Sequence, residues 1–328
     1  MKKMNLLAIT ALSAAVLASS GCSDGRYSIG VLLPVSHQAL EVCEQGFKEG
    51  LKEQGLDDTK IRFVEKNANG SPSDMSLFAK DLVSSCDMTF GLGTDCSKLL
   101  KSSSIDKGIT NPVLFSAVTD PVDAGLVKSL ENGEGFCTGT TDAQPVDAQI
   151  ALIKEIIPDA DKIGIMYTQS ETNSKIQADQ AVAAAEANEL ETTVMTVSNV
   201  TEIAAVSLAL ASVDGIDAIY IPTDNNIASA MNTVKQNCNS KNVLIVAGEE
   251  NMLAKGGHIS LSVNYLELGK MAGTMAAEIV KGNKKAYELP VKGMSKEECE
   301  YVYSSANLVG STITLPESFT AKARDISK

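Results

Sequence analysis

The strongest constraint on this chain is an alternation of short apolar runs with helix-periodic segments, which occurs twice along its length. Residues 27–34 form a mostly apolar run ending at Pro34, the pattern of a strand buried on both faces. Over 38–55, Leu40, Cys43, Phe47 and Leu51 recur at helical spacing and predict an amphipathic helix. A strand follows at 61–65. The next helix has Ser71 as its cap, Pro72 in its first turn and Asp74 closing a box-like start; Met75, Phe78, Ala79 and Leu82 mark its inward face. Strands over 88–92 and 112–117 flank a helix that begins near Cys96. A second alternation starts after Thr138-Gly139-Thr140, with helices over 146–157, 175–188 and 202–212 and strands over 162–167, 192–197, 217–222 and 243–247, the last two joined by a helix. Residues 265–281 read as a helix returning to the first unit. Parallel strands need crossover helices, so two βα runs of similar length predict an α/β chain of two doubly wound parallel-sheet lobes.

The 328 residues, 44% of them apolar, are enough for two modest domains. Met1-Lys2-Lys3 is a positive start, and residues 6–18 are mostly apolar but too few to span a bilayer as a mature helix. Ala18-Ser19-Ser20-Gly21-Cys22 resembles the signal of a bacterial lipoprotein, whose cysteine becomes the lipidated first residue; Ser19 stands where that motif usually has Leu. The alternative is an ordinary secretory signal containing a cysteine, and either one exports the chain. The implied division is a signal peptide over 1–21, a lipidated tether over 22–26, a first lobe of 27–140 plus about 264–303, and a second of 141–263 plus about 304–328. No later run resembles a transmembrane helix, so attachment would be through lipid on Cys22 alone, with the domain facing the periplasm or cell exterior. A formal charge of −13 opposes a nucleic-acid partner.

Beyond Cys22 lie Cys43, Cys86, Cys96, Cys137, Cys238 and Cys299, and spacing selects no pairing. Cys86 and Cys96 fall at opposite ends of one predicted strand, too far apart to bridge. Buried thiols with at most one disulfide are expected. With no CxxC and two histidines, neither a metal nor another cofactor is expected.

In open parallel sheets ligands gather where strands end and helices begin. Gly93-Thr94-Asp95, Val118-Thr119-Asp120 and Pro222-Thr223-Asp224 each follow an apolar strand, Glu249-Glu250 follows another, and 167–174 a further one. Hydroxyls beside unpaired helix-start N–H groups suit an anionic ligand group, and carboxylates suit an ammonium, so together they would hold a zwitterion such as an amino acid. Read singly, each Thr-Asp pair is equally a helix cap. No GxSxG elbow or phosphate loop is present, and nothing positions a nucleophile, which disfavours an exported hydrolase. His37, in the first strand-to-helix loop, could contact a ligand or start the helix; His258 precedes a strand and reads as structural.

Residues 29–40 (Ile29-Gly30-Val31-Leu32-Leu33-Pro34-Val35-Ser36-His37-Gln38-Ala39-Leu40), Gly46-Phe47-Lys48-Glu49-Gly50-Leu51, and above all Phe115-Ser116-Ala117-Val118-Thr119-Asp120-Pro121-Val122-Asp123-Ala124-Gly125-Leu126-Val127, resemble a group of bacterial ABC-transporter solute-binding proteins. Tyr220-Ile221-Pro222-Thr223-Asp224-Asn225, Ala247-Gly248-Glu249-Glu250 and Tyr265-Leu266-Glu267-Leu268-Gly269 continue the likeness in order. The resemblance implies a type I periplasmic-binding-protein fold, with two lobes joined by three crossovers around a ligand cleft. Several members are associated with tryptophan, tyrosine or related amino acids. By resemblance, Thr94, Ser97 and Thr119 would hold the ligand carboxylate, Asn173, Ser174, Asp224 and Glu250 would contribute from the second lobe with Asp224 as the ammonium partner, and Tyr167 and His37 would line the side-chain pocket. The loop Thr94-Asp95-Cys96-Ser97 and the region 293–305 depart from the family pattern. With no Trp and 4% aromatic residues, a sugar stacked on rings is disfavoured. The expected protein is a monomeric receptor that captures an amino-acid-like ligand by hinge closure and delivers it to an ABC permease; the alternative is a sensor that presents the ligand to a signalling receptor.

Overall fold

A computed structural model describes residues 25–328, so the predicted signal and Cys22 lie outside the described residues. The first lobe runs β1 (Tyr27–Leu33), α1 (Gln38–Glu53), β2 (Ile61–Asn67), α2 (Pro72–Ser85), β3 (Met88–Leu92), α3 (Thr94–Lys107), β4 (Val113–Val118) and β5 (Cys137–Thr141). Its strands form one parallel sheet in the order β2-β1-β3-β4-β5. β3, β4 and β5 are buried throughout, as strands covered by helices on both faces must be.

The second lobe contains α4 (Val146–Ile156), β6 (Lys162–Thr168), α5 (Thr172–Ala187), β7 (Glu191–Val197), α6 (Ile203–Ala211), β8 (Ala218–Ile221), α7 (Asn225–Ser229), α8 (Met231–Lys241), β9 (Leu244–Ala247) and β10 (Ile259–Ser262). The chain then forms α9 (Tyr265–Val280) on the first lobe and returns through β11 (Glu300–Tyr303), α10 (Glu317–Thr320) and β12 (Arg324–Asp325). The second sheet is ordered β12-β11-β10-β9-β8-β6-β7, parallel except for the β10–β11 pair. Three segments therefore cross between the lobes, after β5, after β10 and after α9.

Several starts and stops differ from the sequence reading for local reasons. Ser71 caps α2 as expected, its hydroxyl accepting from the Asp74 N–H at 3.3 Å with Pro72 in the first turn. α3 begins at Thr94, two residues earlier than read, because Gly93 at φ +82° turns the chain directly off β3. The Thr138-Gly139-Thr140 segment, read as a boundary, is the middle of β5. Its polar side chains hide the strand pattern, yet Thr138 donates to the Leu289 carbonyl at 2.9 Å and Thr140 pairs with the Ser116 hydroxyl at 2.6 Å. The return to the second lobe precedes Glu300 and does not wait for residue 303, since β11 pairs with β10 from Glu300 onward.

α9 lies against α1 through two glycine stripes, Gly46 and Gly50 facing Gly269 and Gly273. A Cβ on Gly269 would stand 2.0 Å from the Cys43 carbonyl oxygen, and one on Gly46 would stand 2.1 Å from that of Leu266. The helices thus meet backbone to backbone. One apolar core runs from Phe47 and Phe90, stacked 3.9 Å apart, through α9 to Ile163 and Tyr220 of the second lobe, and separate clusters fill the opposite face of each sheet. Cys43, Cys86, Cys96, Cys137, Cys238 and Cys299 are free, buried thiols; burial pushes Cys43, Cys137 and Cys238 up to about 12.

Candidate functional site

Strand order reverses between β1 and β3 in the first sheet and between β6 and β8 in the second, and ligands of open α/β sheets sit at such points. The loops leaving those strands face each other across a cleft of about 770 Å³. Pro34, Gly93, Thr94 and Asp95 line it from the first lobe, and Ser170, Glu171, Asn173 and Asn225 from the second.

The second-lobe wall is held by carboxylates. Glu171, at the start of α5, accepts from the Asn225 N–H at 2.9 Å, the Asn225 side chain at 2.8 Å and the Asn226 N–H at 3.0 Å. Burial, and then the charge of Asp224, push Glu171 up to about 8. Asp224 is 1% exposed and accepts from the Thr168 N–H at 2.6 Å, the Thr168 hydroxyl at 2.8 Å and the Ile227 N–H at 2.9 Å. Its carboxylate caps α7 and ties it to the end of β6. Asn173 and Ser174 both donate to the Thr223 carbonyl, at 2.7 and 2.9 Å.

Among the described residues, two polar contacts beside the cleft join the lobes. Gln177 of α5 accepts from the Thr223 N–H at 2.8 Å and donates to the Thr119 hydroxyl at 3.4 Å; Thr119 in turn donates to Asp142 at 3.2 Å. Tyr265 donates to the other Asp142 oxygen at 2.7 Å. The second point is His37 at the start of α1, whose Nε2 lies 3.8 Å from Oε1 of Glu249 in the turn after β9. Glu249 is fully buried, and its Oε2 accepts from the Asn251 N–H at 2.6 Å and the Asn251 side chain at 3.0 Å. Burial pushes Glu249 up to about 7, and burial followed by the charge of Lys255 lowers His37 to about 4. The charges of Asp142 and Glu249 both act on Tyr265, which makes these groups one cluster. Among the described residues, buried His37 Nδ1, Thr94 Oγ1, Gln144 Nε2, Thr223 Oγ1 and Glu249 Oε1 have no hydrogen-bond partner, and only Glu44 Oε1, Thr89 Oγ1 and Ser260 Oγ share that state elsewhere. A buried polar atom left unpaired costs about 1–3 kcal/mol, so a concentration of them where two lobes meet marks a place built for a polar guest.

The structure thus brings Thr94 and Asn173 to the cleft, places Ser174 beside Asn173 on the Thr223 carbonyl, and sets His37 and Thr119 at the contacts between the lobes. Four other sequence-derived assignments meet different geometry. Ser97 turns its hydroxyl back to the Gly93 carbonyl at 2.7 Å and to the Gly91 carbonyl of β3 at 3.2 Å, the second contact tying α3 to its strand. Tyr167 packs on the core face of β6 with Ile163 and Ile165 and does not line the cleft. Asp224 is engaged by three donors. Glu250 is drawn outward into an ion pair with Arg324, at 2.9 Å. Of the two adjacent acids it is Glu249 that faces inward. Glu171, Gln144, Gln177, Asp142 and Tyr265 escaped the sequence reading because nothing local distinguishes them from capping or core residues. The tandem Glu249-Glu250 after an apolar strand was the one visible signal.

The model of the ABC transporter substrate binding protein family matches residues 28–326. The chain belongs to that family. Its members bind substrate and do not convert it, and their architecture is the type I periplasmic-binding-protein fold. This solute-binding chain is 34% identical over 279 residues to a tyrosine-binding protein of Clostridioides difficile, spanning 84% of this chain and 79% of that one. Its fold superimposes with a TM-score of 0.84 on a Streptococcus pneumoniae ABC domain in complex with L-Trp, at 33% identity over 92% of this chain and 99% of the other. Against the ligand-free, open structure of a substrate-binding protein with adhesive properties from Clostridium difficile the TM-score is 0.69, at 29% identity over 91% and 99% of the two chains.

Proposed function

We propose that this solute-binding chain captures an amino acid, of which an aromatic one is the first candidate, by closing its lobes on it. The observation that carries this reading is the set of buried polar atoms without hydrogen-bond partners contributed by both lobes to one junction. Thr94, beside the N–H groups that open α3, suits the ligand carboxylate, because a helix start carries unpaired donors and a partial positive charge. Glu249 suits the ammonium, taking the part that the sequence reading gave to Asp224. Thr119, Asn173, Ser174 and Thr223 complete the polar surround, with His37 beside Glu249. The likeness to the tyrosine-binding protein and to the L-Trp complex supports an aromatic amino acid.

In this reading ligand stabilises the closed arrangement because only closure lets both lobes touch it. The protein works outside the cytoplasm, anchored through lipid on Cys22 as a monomer, and hands its cargo to an ABC permease. Native mass spectrometry of the mature domain lacking Cys22, purified gently from its own host, tests the ligand class. A co-purified molecule of amino-acid mass, together with thermal stabilisation by that amino acid, is expected. An empty protein that no amino acid stabilises would overturn the reading.

A further inference from the structure

In the proposed function a ligand ammonium meets Glu249, and the structure supplies that carboxyl with a neighbour whose part the proposed function does not define. His37 and Glu249 come from opposite lobes, are 5% and 0% exposed, and lie 3.8 Å apart; each keeps an atom without a hydrogen-bond partner, Nδ1 on the imidazole and Oε1 on the carboxylate. The imidazole is the only basic side chain within ion-pairing distance of this buried carboxylate among the described residues. The groups around the pair are few. Glu250 shares the turn but points to Arg324; Tyr265 faces it from α9 with its hydroxyl on Asp142; the charge of Lys255 acts on His37. Glu171 and Asp224 lie on the same lobe as Glu249, and N–H and O–H donors hold them. A lone carboxylate buried here would be costly, and a proton on it removes that cost.

We propose that the His37–Glu249 pair carries one proton, on the Glu249 carboxyl, while the closed cleft holds no ligand, and that an incoming ligand ammonium takes its place. His37 is thereby a positioning residue that acts through Glu249 and restricts the site to ligands with a free cationic amine. The step balances: the ammonium brings its positive charge intact, the Glu249 carboxyl becomes a carboxylate paired to it, and the displaced proton leaves to solvent. The inference rests on the reading that an amino acid binds here with its ammonium at Glu249. It concerns the fate of a proton, which that reading leaves open.

Calorimetric titration of the mature domain with L-tyrosine, in two buffers of different ionisation enthalpy, measures protons released per ligand bound. About one proton is expected near about pH 6, falling toward zero by about pH 8.5. N-acetyl-L-tyrosine, which lacks the cation, is expected to bind at least tenfold more weakly and release none. His37→Gln should shift the midpoint of release by at least about half a pH unit, a change that a purely structural role would not produce. Glu249→Gln should abolish release in whatever binding remains. Tight binding of L-tyrosine with no proton exchange between about pH 5 and pH 8.5 would overturn this inference and leave the proposed function standing. Failure of L-tyrosine and every other amino acid to bind the unaltered protein would overturn both. The wild-type buffer series needs no variant, so misfolding of either substitution cannot rescue the proposal.

Discussion

Two carboxylates that look alike in sequence do different work here. Asp224 is bonded by three donors and holds α7 to β6, whereas Glu249 keeps one oxygen without a hydrogen-bond partner at the lobe junction. Asp224→Ala should therefore lower unfolding stability, since it orphans the buried Thr168 and Ile227 N–H groups at about 1–3 kcal/mol each; chemical denaturation reads the loss. Glu249→Gln should instead leave stability close to wild type and weaken amino-acid binding by about 2–4 kcal/mol, a thirtyfold or greater rise in Kd by calorimetry. Titration adds a sign. Burial raises Glu249 to about 7 and Glu171 to about 8, so the folded state holds these protons more tightly than the unfolded chain. Their stabilisation is complete below the ordinary glutamate range and is lost as pH rises through about 7 to 8. His37 and His258, lowered by burial to about 4 and about 3, act oppositely and stabilise only above the ordinary histidine range. The ligand-free protein should thus melt at lower temperature as pH climbs from about 6.5 to about 8. A Tm that rises over that interval would contradict the assignment.

At the scale of elements, the contact that ties the crossing segments to the first lobe is α1 against α9. Its closeness depends on Gly46, Gly50, Gly269 and Gly273, because any side chain there meets the partner's backbone, which cannot swing aside as a flexible side chain would. Gly269→Val should cost about 3 kcal/mol or more through forced separation of the helices. Urea unfolding should show a reduced midpoint, and an unchanged midpoint would mean that α9 is free to shift. α3 is the other element that matters for the site. Gly93 ends β3 and aims the start of the helix at the cleft, while the Ser97 hydroxyl seats the helix on its own strand. That division explains why Thr94 faces the cleft and Ser97, three residues later, does not.

For the molecule as a whole, the decisive geometry lies between lobes. His37 reaches Glu249 and Gln177 reaches Thr119 only when the lobes are together. The superposition is also better on the L-Trp complex than on the open relative, at similar identity. Small-angle scattering should therefore record a smaller radius of gyration when a bound amino acid is added to the emptied domain. No change on saturation would remove hinge closure from the mechanism.

The local pattern alone was enough for the two βα runs. β1, β3 and β4 are apolar runs bounded by turns, and α1 and α2 repeat their buried residues at helical spacing, so covering both sheet faces follows from composition and period. The family blocks carried the cleft and its loops as well. Tertiary structure decided the rest. β5 is a strand because buried neighbours accept its threonine hydroxyls, and β11 belongs to the second sheet because β10 offers it an edge. Whether Glu249 or Glu250 faces inward was settled by Arg324, more than seventy residues away in sequence, which pairs with Glu250 and leaves Glu249 to His37. Periodicity reports which face of an element is buried, but not which of two adjacent turn residues will find a partner. That depends on groups brought together only by folding.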